Sequence, residues 1–143
     1  MTAQAFAKPQ RRDRIASAKV RREEEILARA ELRHDALVRD QFRCVCCGAD
    51  LHATGYEAHH VVSGNGKRRE HEALGTLAST CPGCHGRAHA GDINTLMALA
   101  RWTRVHGSEE AREEIRRRLA KMETSLGAFN RAAHRAQRKG ERP

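Results

Sequence analysis

The sequence predicts an α+β fold, mostly helical, in which two short strands and a helix form a small core flanked by an N-terminal helix and C-terminal helices. Three observations carry this. All five cysteines and six of the nine histidines fall between Cys44 and His89, about a third of the chain. Within that stretch, Tyr56-Glu57-Ala58-His59-His60-Val61-Val62 combines an aromatic, β-branched residues and no breaker, which reads as a strand. Outside it, Gln10 to Asp40 contains neither proline nor glycine, and helical spacing returns beyond Gly91.

The cysteines come as two C-x-x-C pairs, Cys44 with Cys47 and Cys81 with Cys84. At that spacing a tight turn presents two sulfurs to one ion, and two such turns complete a closed, tetrahedral four-thiolate zinc site. A disulfide framework is the alternative; an odd fifth cysteine and a reducing compartment suit it poorly. Cys46 is left out of the tetrahedron as a small packed residue, with an exchange for Cys47 as ligand the other option. A chain of 143 residues with only 3% aromatic and 31% charged residues has a thin core, so a zinc staple would contribute directly to folding.

His85 and His89 stand four apart, and on a helix they share one face and can share one metal. Pro82 suits the first turn of that helix. Adjacent strand residues point to opposite sides. One histidine of the His59-His60 doublet can therefore join His85 and His89 at a second metal while the other faces a substrate. Strand, loop, second strand and helix meeting at a metal make a ββα-metal arrangement.

On these residues the segment resembles the HNH endonuclease family, in the subgroup with two C-x-x-C pairs. Val38-Arg39-Asp40-Gln41-Phe42-Arg43-Cys44 resembles the family's lead-in, and Cys47-Gly48 its C-x-x-C-G. His59-His60 falls where the family has Asp-His or His-His. Gly64-Asn65-Gly66 takes the place of its glycine-rich loop, and Cys81-Pro82-Gly83-Cys84-His85 matches C-x-x-C-H. The resemblance spans roughly residues 38 to 90. One departure stands out: the family's middle asparagine is replaced by Thr76. The resemblance implies His60 as general base and Thr76 as the brace near it. It also implies His59 and His85, with His89 a further candidate, as ligands of a catalytic divalent ion. That ion is Mg²⁺ or a transition metal; three imidazoles favour Zn²⁺, Ni²⁺ or Mn²⁺. The implied reaction is hydrolysis of DNA phosphodiesters by in-line attack of water, leaving 5′-phosphate and 3′-hydroxyl ends.

The formal charge of +9 and isoelectric point near 10 are the footprint of a polyanion partner, here DNA, although a generally basic surface gives the same total. Lys67, Arg68 and Arg69 lie in a glycine-containing loop between the doublet and His85, placed to hold a phosphate; a solvated loop is the plainer reading. No secretory segment opens the chain and no apolar run nears the ~20 residues of a membrane span, so a cytoplasmic protein without a membrane partner is expected.

The expected boundaries are a leader over 1–9, a charged helix over 10–40, the metal-bearing core over 41–91, C-terminal helices over 92–126 and a basic tail over 127–143. In the first helix Ile15, Ala18, Ile26, Ala30 and Leu37 keep a narrow apolar stripe, and its arginine-rich start either follows a phosphate backbone or is simply solvated. Ile93, Leu96, Met97, Ala100, Trp102 and Val105 are expected to pack as core. Ser108 is a candidate N-cap, and Ala111, Ile115, Leu119, Met122 and Leu126 form a stripe for the first helix or for a second copy in a homodimer. Two other functions compete with the nuclease: a non-catalytic zinc-stapled DNA-binding module, and a nuclease fold degenerate at Thr76 and kept for a structural role.

Overall fold

A computed structural model describes residues 11–62 and 72–140. The elements are α1 (Arg11–Arg39), α2 (Leu51–Thr54), β1 (Glu57–His60), a 3₁₀ turn (Leu74–Thr76), β2 (Leu77–Thr80), α3 (Pro82–Ala90), α4 (Ile93–His106) and α5 (Glu109–Gly140). Lys67, Arg68, Arg69 and His71 lie outside the described residues, as does the leader over 1–9.

The two strands pair antiparallel with Glu57 opposite Thr80 and His60 opposite Leu77. A two-stranded sheet leaves edge groups to satisfy. On β2, the Ser79 N–H donates to the Asp40 carboxylate at 3.0 Å and the Ser79 carbonyl accepts from Val45 N–H at 3.0 Å. The same strand is thus tied to the end of α1 and to the first cysteine turn. Every residue of β2 is buried.

Asp40 is the knot of this junction. Its side chain is 1% exposed and takes two hydrogen bonds from Arg39, one from Trp102 and one from Ser79 N–H. Burial acts to raise its pKa, but these donors outweigh burial and hold it below the ordinary carboxylate value. Arg39 also donates to the carbonyls of Leu74 and Leu77, and its guanidinium lies 4.7 Å from the Trp102 ring centroid. The chain then turns through positive φ at Gln41 (54°) and Phe42 (56°), an unfavourable conformation for both residues that the knot sustains.

The main core joins Val61, Ala78, Ala88, Leu96, Leu99, Trp102, Ala111 and Ile115. Two expectations about packing are corrected. On α4 the buried face is Thr95, Leu96, Ala98, Leu99, Trp102 and Thr103, while Ile93, Met97 and Val105 are exposed. On α1 the face that meets the domain carries Arg29, Leu32 and Ala36; Ile15 and Ile26 are exposed. Of the expected stripe, Leu37 packs against the four-cysteine cluster, and Arg29 and Arg39 add polar contacts to this face. α5 packs on α4 through Ala111 and Ile115, and Ser108 accepts from Ala111 N–H at 3.2 Å as its cap. The helix continues past Gly127 to Gly140, so the basic segment over 127–140 is helical and continuous with α5. Among the described residues no helix is long and apolar enough to cross a membrane.

Candidate metal centres

The first centre is built by two turns. After Cys44 the chain doubles back at Gly48, whose φ of 74° favours a residue without Cβ, and Gly48 N–H donates to the Cys44 carbonyl at 2.8 Å. Cys81 is the N-cap of α3 and Pro82 opens its first turn, so Cys84 follows one turn later on the helix. The Sγ atoms of Cys44, Cys47, Cys81 and Cys84 all lie within 4.8 Å of one another, and Cys47 and Cys81 are 3.9 Å apart. A tetrahedron with metal–sulfur bonds of ~2.3 Å has an edge of about 3.8 Å. Cys44, Cys81 and Cys84 are buried and Cys47 is exposed; all four are free thiols.

Their electrostatics show why the cluster fits a cation. A hydrogen bond with Cys46 pulls Cys44 down to about 3, whereas burial first, and then the neighbouring cysteines, push Cys84 up to about 12. Packed thiols cannot all ionise together without an opposing charge, and a bound cation supplies it. Arg87 already donates to Cys84 Sγ at 3.0 Å. Cys46 packs with the core clusters and lies outside the four-sulfur group. The group is compatible with structural zinc.

The second centre uses the next turn of α3. His59 in β1 projects towards α3, where His85 and His89 are one helical turn apart. The three rings meet edge to face, with centroids 4.6 to 5.4 Å apart, and one nitrogen from each falls within 4.8 Å of the others. His85 Nε2 and His89 Nε2 are 3.3 Å apart. His59 is 1% exposed, yet among the described residues neither of its ring nitrogens has a hydrogen-bond partner. Burial, helped by the charges of His89, His85 and Arg118, drives its pKa down to about 3. A buried imidazole kept neutral, with its lone pair facing two others, is a donor set for a divalent metal.

Two groups hold this set in place. Glu57 lies two residues from His59 on the same strand face and pairs with His85 Nδ1, which leaves His85 Nε2 for a metal. Arg118 of α5 donates to the Ala88 carbonyl in the last turn of α3. That turn closes on Gly91 at φ 78°, with Asp92 N–H reaching the Arg87 carbonyl at 3.0 Å.

His60 faces away from the cluster. Its Nε2 lies 3.2 Å from Glu72 Oε1. Thr76 is 3% exposed, and its hydroxyl both accepts from Ala73 N–H (3.1 Å) and donates to the Ala73 carbonyl (3.0 Å), closing the 3₁₀ turn. Its own carbonyl accepts from Val61 N–H at 2.9 Å, directly after the doublet. The structure therefore separates His59 from His60 and groups His59 with His85 and His89. A hollow of about 440 Å³ beside the cluster is lined by Arg33, Tyr56, Glu57, Ala58 and His85.

Sequence reasoning missed Glu57, Glu72, Arg29 and Arg33. Only Glu57 had a local signal, since the strand period places it with His59. Comparisons of the chain with family models, with curated proteins and with solved structures found no match.

Proposed function

We propose that the protein is a metal-dependent endonuclease that hydrolyses DNA phosphodiester bonds, as its resemblance to the HNH family implies. The observation that carries the reading is His59: a fully buried imidazole with two unpartnered nitrogens, set against His85 and His89. Burying those polar atoms unsatisfied costs about 1–3 kcal/mol each, a cost that a binding module with incidental histidines has no reason to bear. A divalent ion on these three imidazoles would stabilise negative charge on the phosphoryl oxygens.

The protein's own groups do the remainder. By the resemblance, His60 would take the proton of the attacking water; its ring faces away from the three imidazoles, so that water would not itself be a ligand of their ion. Arg33, in the hollow beside His85, offers a positive charge to the substrate backbone. The charge of +9 favours approach of a polyanion. Thr76 holds the turn behind the doublet through its two hydrogen bonds to Ala73. The thiolate cluster, filled by zinc, would be closed and structural.

Substituting the candidate base on β1 and a candidate metal ligand on α3 separately tests this. His60→Ala should lose cleavage of duplex DNA while keeping metal content and DNA affinity. His85→Ala should lose cleavage together with the second equivalent of metal. Retained cleavage in both variants would favour a zinc-stapled binding module instead.

A further inference from the structure

We infer that Glu72 is a positioning residue for His60 and that Arg29 of α1 fixes the Glu72 carboxylate. The inference rests on the reading of His60 as general base and adds two groups to it. Glu72 Oε1 lies 3.2 Å from His60 Nε2, and Glu72 Oε2 lies 3.2 Å from Arg29 Nε. The side chains are 17%, 10% and 34% exposed for His60, Glu72 and Arg29, so the chain of contacts is largely withdrawn from water. Each carboxylate oxygen is engaged in a different direction, which fixes the plane of the group as well as its position.

The consequence is chemical. An ionised carboxylate only accepts hydrogen bonds, so His60 carries its proton on Nε2 and its lone pair on Nδ1. Arg29 is permanently cationic and places its charge against the second carboxylate oxygen of Glu72. When water attacks, its O–H bond breaks and the proton goes to Nδ1 as the new oxygen–phosphorus bond forms. The phosphorus–O3′ bond breaks and the leaving oxygen takes a proton from solvent. His60 is left as an imidazolium, and the Glu72 carboxylate stabilises the charge that has developed. The arrangement has the logic of a base oriented by an acid on its far nitrogen, with an arginine in addition.

It also gives α1 a role. Arg29 is one of the few α1 residues outside its last turns that is not fully exposed. Its ion pair joins a helix that precedes the first cysteine turn to the group behind the base. The half-buried position of Arg29 on the packing face of α1 is thereby explained by what it holds.

The test uses the full-length, zinc-loaded protein with ring-¹⁵N histidine, beside metal-dependent cleavage of duplex DNA. The wild type should show a slowly exchanging His60 imidazole proton bound to Nε2. Glu72→Ala should lose that resonance, keep the metal content, and lower kcat about 10- to 100-fold with KM unchanged. Glu72→Gln, which can still accept from Nε2–H but lacks the charge, should restore the resonance and only part of kcat. Arg29→Ala should weaken both readouts in the same direction. A wild-type proton on Nδ1, or a Glu72→Ala protein with an unchanged resonance and kcat, overturns the inference alone. A wild type without any metal-dependent cleavage overturns the base reading and the inference with it.

Discussion

Trp102 Nε1 donates to Asp40 Oδ1 at 3.0 Å, joining the middle of α4 to the residue that follows α1. The same carboxylate receives Arg39 and the edge amide of β2, so three elements converge on one buried charge. Asp40→Ala would leave Arg39, at 14% exposure, without its counter-charge and the Ser79 N–H without an acceptor. Breaking a buried pair from one side costs about 3–5 kcal/mol, a large share of the 5–15 kcal/mol that holds a typical domain together. Urea denaturation should show a loss of this size; a change below about 1 kcal/mol would mean that Trp102 packing alone holds the junction.

The thiolate cluster predicts a second outcome. Cys44→Ser should release zinc and unfold the core, because apparent binding energies of structural zinc, ~10–16 kcal/mol, exceed the stability of a small domain. Elemental analysis together with circular dichroism checks this. A zinc-free protein that stays folded and active would contradict it.

His59 sets a pH dependence. Its ordinary value of 6.5 is lowered to about 3 in the fold, mainly by burial. Below about 6.5 the unfolded chain takes up a proton that the folded protein refuses until about 3. Stability from this group therefore falls as pH drops through that window and is flat above it. His59→Phe should flatten the slope between about pH 7 and 5 relative to the wild type, and parallel curves would refute the assignment.

Thr76 gives a fourth. Its hydroxyl makes two hydrogen bonds to Ala73 inside the turn that precedes β2. Thr76→Ala should cost about 1–2 kcal/mol of stability and slow cleavage while leaving the metal content unchanged. Loss of the second metal in this variant would place Thr76 at the ion and not behind the doublet.

Much of the site was legible in the sequence because it is written in local spacing. C-x-x-C dictates a turn, H-x-x-x-H a helix face, and His-His on a strand two opposite directions. The same local logic misjudged α1, since an apolar stripe through Ile15 and Ile26 carries no information about an ion pair between Arg29 and Glu72. Gly127 suggested a break, yet a single glycine costs only about 1 kcal/mol in a helix interior and α5 runs on through it. Glu72 had no sequence signal at all, because its partners come from elements far apart along the chain and meet only in the fold.

The central claim is that His59, His85 and His89 hold the ion of a DNA-cleaving site whose base is His60. Nicking and linearisation of supercoiled plasmid in Mg²⁺, Mn²⁺, Ni²⁺ or Zn²⁺, with and without EDTA, measures it most directly. The expected result is cleavage by the wild type with at least one of these ions, abolished by EDTA, by His60→Ala and by His85→Ala. Intact plasmid with every ion, or wild-type-level cleavage by His60→Ala, would contradict it.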